Sequence, residues 1–525
     1  MKRTLIFLLC GEILISCGDS VKRNNASQEV LDSSELTGYM LAVKHCVECH
    51  AFPVPELLPK SIWKKEVLPS MGHRMGIYEG EHQPDSLFEP GIGGQIVRKA
   101  NVFPEKPVLA KDDWRKIMDY YLQNAPDTIL PRMREKDIQI GLKHFKYKET
   151  SFSHRPPLTI MVKILPRNQG FVYGDGKRNI SSLNFLTNDL EKDYMVQLKT
   201  TPVNYQMKQD TIYLTTIGTK MYPHDAPKGA IQKLFGDGPG QPFKYANLII
   251  PNLQRPVFAE YADINSDGLE DVVVCEYGHL TGKLVWYENM GNETYQMRPL
   301  KAEPGATMVV IKDVDLDGHP DIFALMAQGD EGIFLYKNRG NGTFDEQRLL
   351  SFNPLYGSQY FELVDFNNDG LDDIMYVCGD NADLSTILKS YHGIYIYLNL
   401  GDYRFKEAFF YHLNGAYKAV ARDFDLDGDL DIAAISFFPD YSRYPEESFV
   451  YLENTGEFEY KEYSFPEVTR GRWIVMDAED MDADGDIDIA LGSFVDFYPE
   501  GDTTGLQEMW LKEGPSMIVL ENTIN

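Results

Sequence analysis

Short apolar runs recur through the C-terminal half of the chain, and each follows directly on an acidic segment. The five runs, VVVCEYG, IFALMAQ, IMYVCGD, IAAISFF and IALGSFV, follow Asp271, Asp321, Asp373, Asp431 and Asp488. Their length and their β-branched and aromatic content predict strands. A second apolar segment then ends in Asn before a Gly-containing turn, as in LVWYENMG at 284–291. Each unit of 50 to 58 residues therefore predicts an antiparallel meander of about four strands.

Helical periodicity marks residues 36–127 instead. One helix is predicted over Glu35–His45 and a second over Lys111–Asn124, which Pro126 ends. The second helix has one apolar face, formed by Trp114, Ile117, Met118, Tyr121 and Leu122. The pattern therefore predicts a small all-α domain in front of the β-rich region, with residues 128–154 as a linker.

The acidic segments share the nine-residue pattern D-x-[DN]-x-D-G-x-x-D. Oxygen atoms at positions 1, 3, 5 and 9 suit calcium, which takes roughly six to eight oxygen ligands, and glycine at position 6 permits a sharp turn. Plain Asp-Gly turns are the alternative, but five copies in register favour about five calcium ions. The candidate ligands are Asp263, Asn265, Asp267 and Asp271; Asp313, Asp315, Asp317 and Asp321; Asp365, Asn367, Asp369 and Asp373; Asp423, Asp425, Asp427 and Asp431; and Asp480, Asp482, Asp484 and Asp488.

Repeats of this kind resemble the FG-GAP/VCBS family, which includes the propeller of integrin α-subunits. The resemblance covers residues 263–525, while residues 160–262 offer strand-like segments without the acidic pattern. It implies an all-β propeller over 155–525 with seven blades, five of them with calcium loops; six or eight blades are the alternatives. We expect the calcium to be structural, because each loop without it would hold mutually repelling carboxylates. Calcium that bridges to a partner is the other possibility.

Cys46, Cys49 and His50 form the pattern C-x-x-C-H, which is typical of covalent c-type haem attachment. The two thiols, one helical turn apart, add to the haem vinyl groups, and the adjacent histidine becomes the proximal ligand of the iron. A zinc half-site and a thioredoxin-like redox pair are the alternatives. No second pair of ligands lies nearby, and no βαβ pattern surrounds the motif. We therefore expect one haem c.

With its two flanking helices, this segment resembles the class I cytochrome c domain. The resemblance implies a methionine as the distal haem ligand, and the segment LPSMGHRMG offers Met71 and Met75, with His73 between them. We choose Met71 as the distal ligand. Iron held by His50 and Met71 would transfer electrons, whereas iron without a distal ligand would suit a peroxidase or a gas sensor.

The first residues predict export. A basic start and an apolar run over 5–15 form a signal segment, and the following LISC resembles the bacterial lipobox, which implies that Cys17 is diacylated. An ordinary secretory signal is the alternative. With 1–17 as the signal peptide, the polar residues 18–35 predict a flexible tether. We expect an anchor in the outer membrane, at its periplasmic or cell-surface face.

Composition narrows the partners. The net charge of −28 argues against nucleic acid and against anionic membrane surfaces as ligands. Cys275 and Cys378 lie in predicted strands of repeats that are not neighbours, so both are expected as buried thiols. No Ser/His/Asp group, P-loop or H-E-x-x-H pattern suggests hydrolysis.

Together these features predict a membrane-anchored, extracytoplasmic electron carrier, more than an enzyme, whose propeller docks a redox partner. The combination resembles bacterial lipoproteins that join a cytochrome c domain to FG-GAP/VCBS repeats. Two other functions remain open: a glycan- or protein-binding surface lipoprotein with an accessory haem, and a propeller oxidoreductase or lyase. For a propeller enzyme, Tyr441, Arg443 and Tyr444 in a variable loop are candidate site residues, although such residues are more often plain blade surface.

Overall fold

The computed structural model describes residues 36–78, 84–165, 168–176, 180–219, 221–237, 241–382, 387–496 and 503–524. The predicted signal peptide 1–17, the lipidation residue Cys17 and the tether 18–35 lie outside the described residues. Among the helices that are described, none combines the length and the apolar character needed to cross a membrane.

Helices form the N-terminal part of the described chain. They are α1 (Gly38–Cys46), α2 (Lys60–Ile62), α3 (Leu68–Arg74), α4 (Ile92–Lys99) and α5 (Lys111–Asn124), with a π-helical turn at Trp63–Val67, short 3-10 turns at Pro55–Leu57 and Pro84–Leu87, and a later α6 (Leu506–Glu513). The predicted bounds of α5 are confirmed. Of the predicted helix Glu35–His45, Glu35 lies outside the described residues, and the helix begins at Gly38 because the Oγ1 of Thr37 accepts a hydrogen bond from the Met40 N–H and so caps it there.

The helices pack around one apolar core. Helix α1 crosses α5 so closely that a Cβ on Gly38 would lie 2.1 Å from the Lys116 carbonyl oxygen. The buried side chains of this core are Leu41, Ala42, Leu58, Trp63, Val67, Leu68, Ile77, Leu109, Trp114, Ile117, Tyr121 and Ala125. The π-helical turn precedes Pro69, which has no N–H to donate within the helix. This turn leads into α3 and thereby positions Met71.

Strands account for the remainder of the fold. The first two are β1 (Gln139–Ile140) and β2 (Phe145–Glu149). Two sheets follow, with β3 (Thr159–Ile164), β4 (Phe171–Gly176), β5 (Ser181–Leu186) and β6 (Lys192–Leu198) in one, and β7 (Pro202–Lys208), β8 (Thr211–Thr216), β9 (Gly229–Phe235) and β10 (Tyr245–Leu253) in the other.

Five further sheets contain the acidic loops. Their strands are β11 (Pro256–Ala262), β12 (Asp271–Glu276), β13 (Lys283–Asn289) and β14 (Tyr295–Lys301); β15 (Ala306–Lys312), β16 (Asp321–Met326), β17 (Gly332–Asn338) and β18 (Phe344–Ser351); β19 (Ser358–Val364), β20 (Asp373–Cys378), β21 (Gly393–Asn399) and β22 (Phe405–His412); β23 (Ala416–Arg422), β24 (Asp431–Ser436), β25 (Phe449–Asn454) and β26 (Tyr460–Ser464); and β27 (Trp473–Glu479), β28 (Asp488–Ser493) and β29 (Met517–Asn522). Short 3-10 turns lie at Pro445–Ser448 and Val468–Arg470.

The described sheets form a seven-bladed ring. Each blade is an antiparallel meander, and the first strands of successive blades (β3, β7, β11, β15, β19, β23 and β27) contact one another around the axis. The prediction of seven blades, five with the acidic pattern, is confirmed. The second strand of each of these five blades is buried along its whole length, which explains the unbroken apolar runs of the sequence.

The ring is closed by a strand from the segment predicted as a linker. Strand β2 pairs antiparallel with β29, from Phe145 opposite Asn522 to Glu149 opposite Ile518. Strand β1 adds to the sixth blade, parallel to β26. The propeller sheets therefore begin inside 128–154, ahead of the predicted start at 155, because the last blade takes its outer strand from the front of the chain. Alternating Phe145 and Tyr147 pack against the core between the sixth and seventh blades.

The helical domain covers one face of the propeller. The Nδ2 of Asn353 donates to the carbonyl oxygen of Phe52 over 3.2 Å, and the side chains of Leu355 and Ile387 pack against the helical core. These residues lie in the connections that leave a blade or join its second and third strands. In an antiparallel meander the connection between first and second strands lies at the other end, so the acidic loops occupy the opposite face.

Candidate functional site

The C-x-x-C-H motif lies at the end of α1, next to the propeller. Cys46 is the last residue of the helix, and Cys49 follows in the turn. Both side chains are free thiols; that of Cys46 is partly buried and that of Cys49 is exposed. Burial raises the pKa of the Cys46 thiol. The motif therefore presents two unpaired sulfur atoms, one turn apart.

The imidazole of His50 is held in one tautomer. Its Nδ1 lies 2.8 Å from the carbonyl oxygen of Ala51. Because a carbonyl oxygen only accepts, Nδ1 bears the proton, and Nε2 keeps a lone pair for a metal. Burial lowers the pKa of His50, which favours the neutral ring. This donor set, two thiols and a neutral imidazole, is the one that covalent haem requires.

A cavity of about 570 Å³ opens beside the motif. Cys49 and His50 form its wall on the helical side, and Leu280 and Gly329 from two propeller loops form the opposite wall. A Cβ built on Gly329 would lie 4.0 Å from the Cys49 carbonyl oxygen, so the motif faces the propeller closely.

A second cavity of about 520 Å³ shares part of this lining. Met71 and His73 line it, and both Met71 and Met75 pack against the helical core. The lining residues common to both cavities are Arg74, Leu280, Gln328 and Gly329. His50 and Met71 therefore lie on walls of two adjoining cavities, and cofactor pockets typically have volumes of roughly 300–1,000 Å³. The lining residues from the propeller gave no recognisable signal in the sequence.

One propeller loop at these cavities is tied down by a buried carboxylate. The carboxylate of Asp225 accepts hydrogen bonds from the backbone N–H groups of His279, Leu280 and Thr281 over 2.7–3.2 Å. The N–H of Asp225 in turn donates to Oε1 of Glu89 in the helical domain over 3.1 Å. Leu280, which lines both cavities, is thereby fixed relative to both domains.

The five acidic loops share one conformation. In each loop the glycine at position 6 has φ between 85° and 98°, as predicted. The residue at position 4 also has positive φ, although none of these is glycine; they are Ser266, Leu316, Asn368, Leu426 and Ala483. Left-handed backbone costs such residues roughly 1–2 kcal/mol, so other interactions must hold the loops in this shape.

Backbone hydrogen bonds to the aspartate at position 1 help to stabilise this loop conformation. In every loop the N–H of the position 6 glycine donates to Oδ2 of the position 1 aspartate over 2.8–3.1 Å. Three loops also bring three carboxylates within 4.8 Å of one another. These groups are Asp313, Asp315 and Asp321; Asp423, Asp425 and Asp427; and Asp480, Asp482 and Asp484. The arrangement suits a hard cation.

The other two loops have Asn at position 3, and their amides turn inward differently. The Nδ2 of Asn265 donates to Oδ2 of Asp267 over 3.1 Å, and that of Asn367 donates to Oδ2 of Asp369 over 3.0 Å. In each case the amide brings together the groups at positions 3 and 5 through a hydrogen bond.

The aspartate at position 9 has a second role that the sequence did not reveal. The five side chains, Asp271, Asp321, Asp373, Asp431 and Asp488, are at most 1% exposed. In each, Oδ2 accepts from the N–H of position 2, over 2.8–3.3 Å. Oδ1 accepts from the N–H of the Asn that ends the third strand, over 2.7–2.9 Å. This aspartate therefore ties the loop to the sheet.

Burial shifts the pKa of these five position 9 carboxyl groups in the same direction. It raises the pKa of all five, and for Asp431 and Asp488 to about 7. A cation at the loop would offset the cost of burying their charge.

In two of the blades, the Asn at the end of the third strand also forms a hydrogen bond to the preceding blade. The Nδ2 of Asn338 donates to the Ile264 carbonyl oxygen over 2.8 Å, and that of Asn522 donates to the Phe424 carbonyl oxygen over 2.7 Å. Each acceptor is position 2 of the acidic loop in the preceding blade. The N-x-G pattern marked these residues as turn formers, but only the structure shows the link between blades.

A third cavity of about 470 Å³ lies on the propeller axis. The Nζ of Lys163 lies 2.8 Å from Oδ1 of Asp477, and the Nζ of Lys418 donates to the Met476 carbonyl oxygen over 2.8 Å. Burial lowers the pKa of Lys418 to about 8 and raises that of Glu260 to about 7. These charged positions alternate with apolar ones in the innermost strands, so no charge pattern in the sequence marks them.

The variable-loop candidates for a propeller enzyme pack as structural residues. The ring of Tyr441 contacts that of Trp510 at 5.1 Å between centroids. The Arg443 guanidinium pairs with Asp440 over 2.5 Å and lies over the Tyr444 ring. Cys275 and Cys378 are buried free thiols, as predicted.

Comparisons with known proteins agree with the repeats. The family described as FG-GAP-like repeat matches residues 263–324 and 313–376. No curated protein sequence matches the chain.

Solved structures with low similarity include chains from three organisms. An Agrocybe aegerita lectin that recognises non-reducing terminal N-acetylglucosamine is 15% identical, with 71% of this chain and 96% of that chain covered and a TM-score of 0.36. Saccharomyces cerevisiae Sqt1 is 9% identical, with 74% and 100% covered and a TM-score of 0.42. A Lactobacillus plantarum protein is 12% identical, with 60% and 84% covered and a TM-score of 0.36. These scores support no argument about function. The repeats and the sheets together make the C-terminal part of this chain a seven-bladed β-propeller with FG-GAP-like repeats.

Proposed function

We propose that the protein is a lipid-anchored, extracytoplasmic c-type cytochrome that transfers electrons, and that its calcium-stabilised propeller docks a partner. The main support is the donor set at the end of α1, where the free thiols of Cys46 and Cys49 stand beside an imidazole whose Nε2 is left unprotonated. A propeller with FG-GAP-like repeats fits the docking role.

The residues of the helical domain fit a covalent haem. Cys46 and Cys49 would form its two thioether bonds, and His50 would be the proximal ligand. Met71 would be the distal ligand, with Met75 and His73 as the alternatives; Met71 and His73 line the neighbouring cavity. When bound, haem c supplies a one-electron redox centre. The two adjoining cavities would hold this centre between the domains.

The propeller residues fit calcium at five loops. Three carboxylates lie within 4.8 Å of one another in three of the loops, and the strained backbone at position 4 of all five loops needs compensation. A cation would neutralise these groups and hold the entry to each second strand. Calcium is therefore proposed as a structural cofactor on the face opposite the helical domain.

The anchor is proposed from the N-terminal sequence alone. Cys17 would bear the lipid, and the tether 18–35 would separate the cytochrome domain from the outer membrane. An anchored carrier would exchange electrons with a partner at that membrane.

Production of the full chain in a bacterium that matures c-type cytochromes tests the proposal. We expect one haem that stays with the polypeptide on a denaturing gel, and a weak long-wavelength sulfur-to-iron band in the oxidised spectrum. A colourless protein would overturn the cytochrome assignment. Rapid carbon monoxide binding would instead show an open iron site, and glycan-array binding that survives haem loss would favour the binding-module alternative.

Metal analysis tests the second cofactor. We expect about five calcium ions per chain, and a melting temperature that falls when a chelator is added. Equal melting with and without chelator would overturn calcium as a structural cofactor.

A further inference from the structure

The cavity on the propeller axis is lined by the first strands of all seven blades. It shares no lining residue with the two cavities beside the C-x-x-C-H motif. Its volume of about 470 Å³ lies in the range of small-molecule sites, roughly 300–1,000 Å³. The charged and amide side chains of its wall include Lys163, Asn204, Gln206, Glu260, Lys418 and Asp477. Such a wall can select a ligand by charge.

Most charges around the axis are paired with one another. The Nζ of Lys163 lies 2.8 Å from Oδ1 of Asp477, and the Arg422 guanidinium lies 2.6 Å from Oε1 of Glu362. These two carboxylates are near enough to Lys418 to act on its pKa. Because both already pair with other cations, the Lys418 ammonium has no ion pair of its own among the described residues.

The Lys418 ammonium has donors to spare for a ligand. Its Nζ donates to the Met476 carbonyl oxygen over 2.8 Å and lies 5.1 Å from the centre of the Tyr360 ring. An ammonium has three N–H groups, and the hydrogen bond to Met476 uses one of them. The others are available to an acceptor in the cavity.

Acceptors that lack a donor lie on another part of the wall. Glu260 and Gln206 are the fifth residues of β11 and β7, which are neighbouring first strands. The Glu260 carboxylate has the backbone of Ile311 as a hydrogen-bonding neighbour, and it forms no ion pair in the part of the chain that the structure describes. The Oε1 of Gln206 is buried without a hydrogen-bond donor. Two such acceptors in adjoining strands fit a group with several N–H donors, such as an ammonium.

The ring places these acceptors opposite Lys418. The first strands contact one another in chain order, so β23, which contains Lys418, is three blades away from β7 in one direction and from β11 in the other. Three blades is the largest separation in a ring of seven. A ligand that reaches both groups must therefore have an anionic group at one end and a cationic group at the other.

Burial disfavours the charged form of both groups. It raises the pKa of Glu260 and lowers that of Lys418. A ligand group of opposite charge would offset this cost at each end. A neutral sugar could use the wall amides of Asn204 and Gln359, but it would leave both charges unmatched.

We infer that the axial cavity binds a short peptide with free termini. Glu260 and Gln206 accept hydrogen bonds from the α-ammonium of this peptide, and Lys418 donates to its α-carboxylate. The amides of Asn204 and Gln359, which also line the cavity, can pair with the peptide groups between the termini. The inference goes beyond the proposed docking role and does not involve the haem.

Trialanine tests the inference by isothermal titration calorimetry on the full chain in the presence of calcium. We expect one saturable site. N-acetyltrialanine lacks the ammonium and trialanine amide lacks the carboxylate, so each should bind roughly tenfold more weakly or worse, because each loses one charged contact. Failure of trialanine to bind, or equal binding of the free and both blocked peptides, would overturn the inference.

Charge-removing variants assign the two ends of the ligand. Glu260→Gln should weaken trialanine roughly tenfold and leave the binding of N-acetyltrialanine unchanged. Lys418→Met should weaken trialanine to a similar extent and leave that of trialanine amide unchanged. Lys406→Met and Glu407→Gln, at exposed positions of the outer strand β22, are matched controls and should bind like the wild type. Equal losses for the free and the blocked peptide in either cavity variant would contradict the assignment of that end.

Two further probes separate a peptide from other ligands. The compound ε-aminocaproate has a charge at each end but no peptide bond, and galacturonate is an acidic sugar. Tighter binding of either compound than of trialanine would overturn the peptide in favour of that class of ligand.

The inference and the proposed cytochrome function fail separately. Colourless protein would overturn the cytochrome assignment and would still serve for the peptide titrations. Should Lys418→Met fail to fold, as judged by circular dichroism, the comparison of free and blocked peptides on the wild type still decides the inference.

Discussion

The helical domain has its candidate functional residues in one short segment, whereas the propeller repeats its candidate residues along the chain. In the helical domain, residues 46–50 contain both thiols and the imidazole, so everything depends on one short segment. The propeller repeats its acidic loop five times, with the same hydrogen bonds in each copy. A single change in the motif should therefore abolish the proposed haem attachment. A single change in one acidic loop should affect only one of the five proposed calcium sites. The aspartates at position 9 of the loops are the exception, because they also tie each loop to its sheet.

The largest expected effect is at the unrepeated motif. Cys49→Ser removes one of the two thioether bonds proposed to hold the haem, and Cys46→Ser,Cys49→Ser removes both. We expect the double variant to lose all covalent haem on a denaturing gel. Cys275→Ser, a buried thiol of the propeller, is the control and should keep its haem. Covalent haem in the double variant would contradict the assignment.

The next largest effect is expected at Asp431, the aspartate at position 9 of its acidic loop. The Asp431 carboxylate accepts from Phe424 N–H, Asn454 N–H and the Tyr451 hydroxyl over 3.2, 2.8 and 2.6 Å. Asp431→Ala leaves these donors buried without a partner, at roughly 1–3 kcal/mol for each group. We expect the free energy of unfolding to fall by about 4 kcal/mol in urea denaturation with calcium present.

Asp345→Ala is the matched control for this change. Asp345 pairs with Arg339 at the surface, where both side chains are more than half exposed. Exposed pairs of this kind contribute roughly 0–1 kcal/mol. A loss at Asp431 no larger than that at Asp345 would show that the buried hydrogen bonds do not hold the blade.

A pH-dependent loss of stability is expected at Glu331, which lines the cavity of about 520 Å³ between the two regions. Burial raises the pKa of Glu331 from 4.5 to about 8. Because the folded state holds the proton more tightly than the unfolded state, the stabilisation is complete below about pH 4.5 and is lost as the pH rises towards 8. Glu331→Gln should remove a pH-dependent difference on the order of 3 kcal/mol.

Unfolding free energies of wild type and Glu331→Gln between pH 5 and 8 provide the measurement. Glu346→Gln, at an exposed position of the same blade, serves as the control and should follow the wild type. If the curves of wild type and Glu331→Gln run parallel, the interface does not hold a protonated carboxyl group.

The smallest effect is expected from one exposed ligand of one loop. Asp427 belongs to the cluster formed with Asp423 and Asp425. Asp427→Asn should lower the calcium content by one ion per chain and cost about 1 kcal/mol or less, since the other four loops are unchanged. Metal analysis and thermal melting check both numbers. Asp402→Asn, exposed in a neighbouring turn, should change neither; a loss of several ions would mean that the loops are coupled.

The sequence revealed the parts of the fold that depend on local pattern. The buried second strands, the glycine turns and the helix at Lys111–Asn124 followed from periodicity and turn chemistry. The closure of the ring by β2 did not, because the pairing of Phe145 with Asn522 joins distant segments and neither strand carries a mark of its partner. The same reason hid Glu331. Its burial depends on residues that are distant in the sequence, such as Ser358, and a lone charged residue in a variable loop predicts only surface.

The pairing of β2 with β29 sets an order of assembly during synthesis. A chain that emerges from its N-terminal side exposes Phe145–Glu149 hundreds of residues before Met517–Asn522 can join it. During that interval the helical domain is complete while the ring is still open, so a haem attached there, as proposed, would be added before the last blade is finished. Ring closure would then come last.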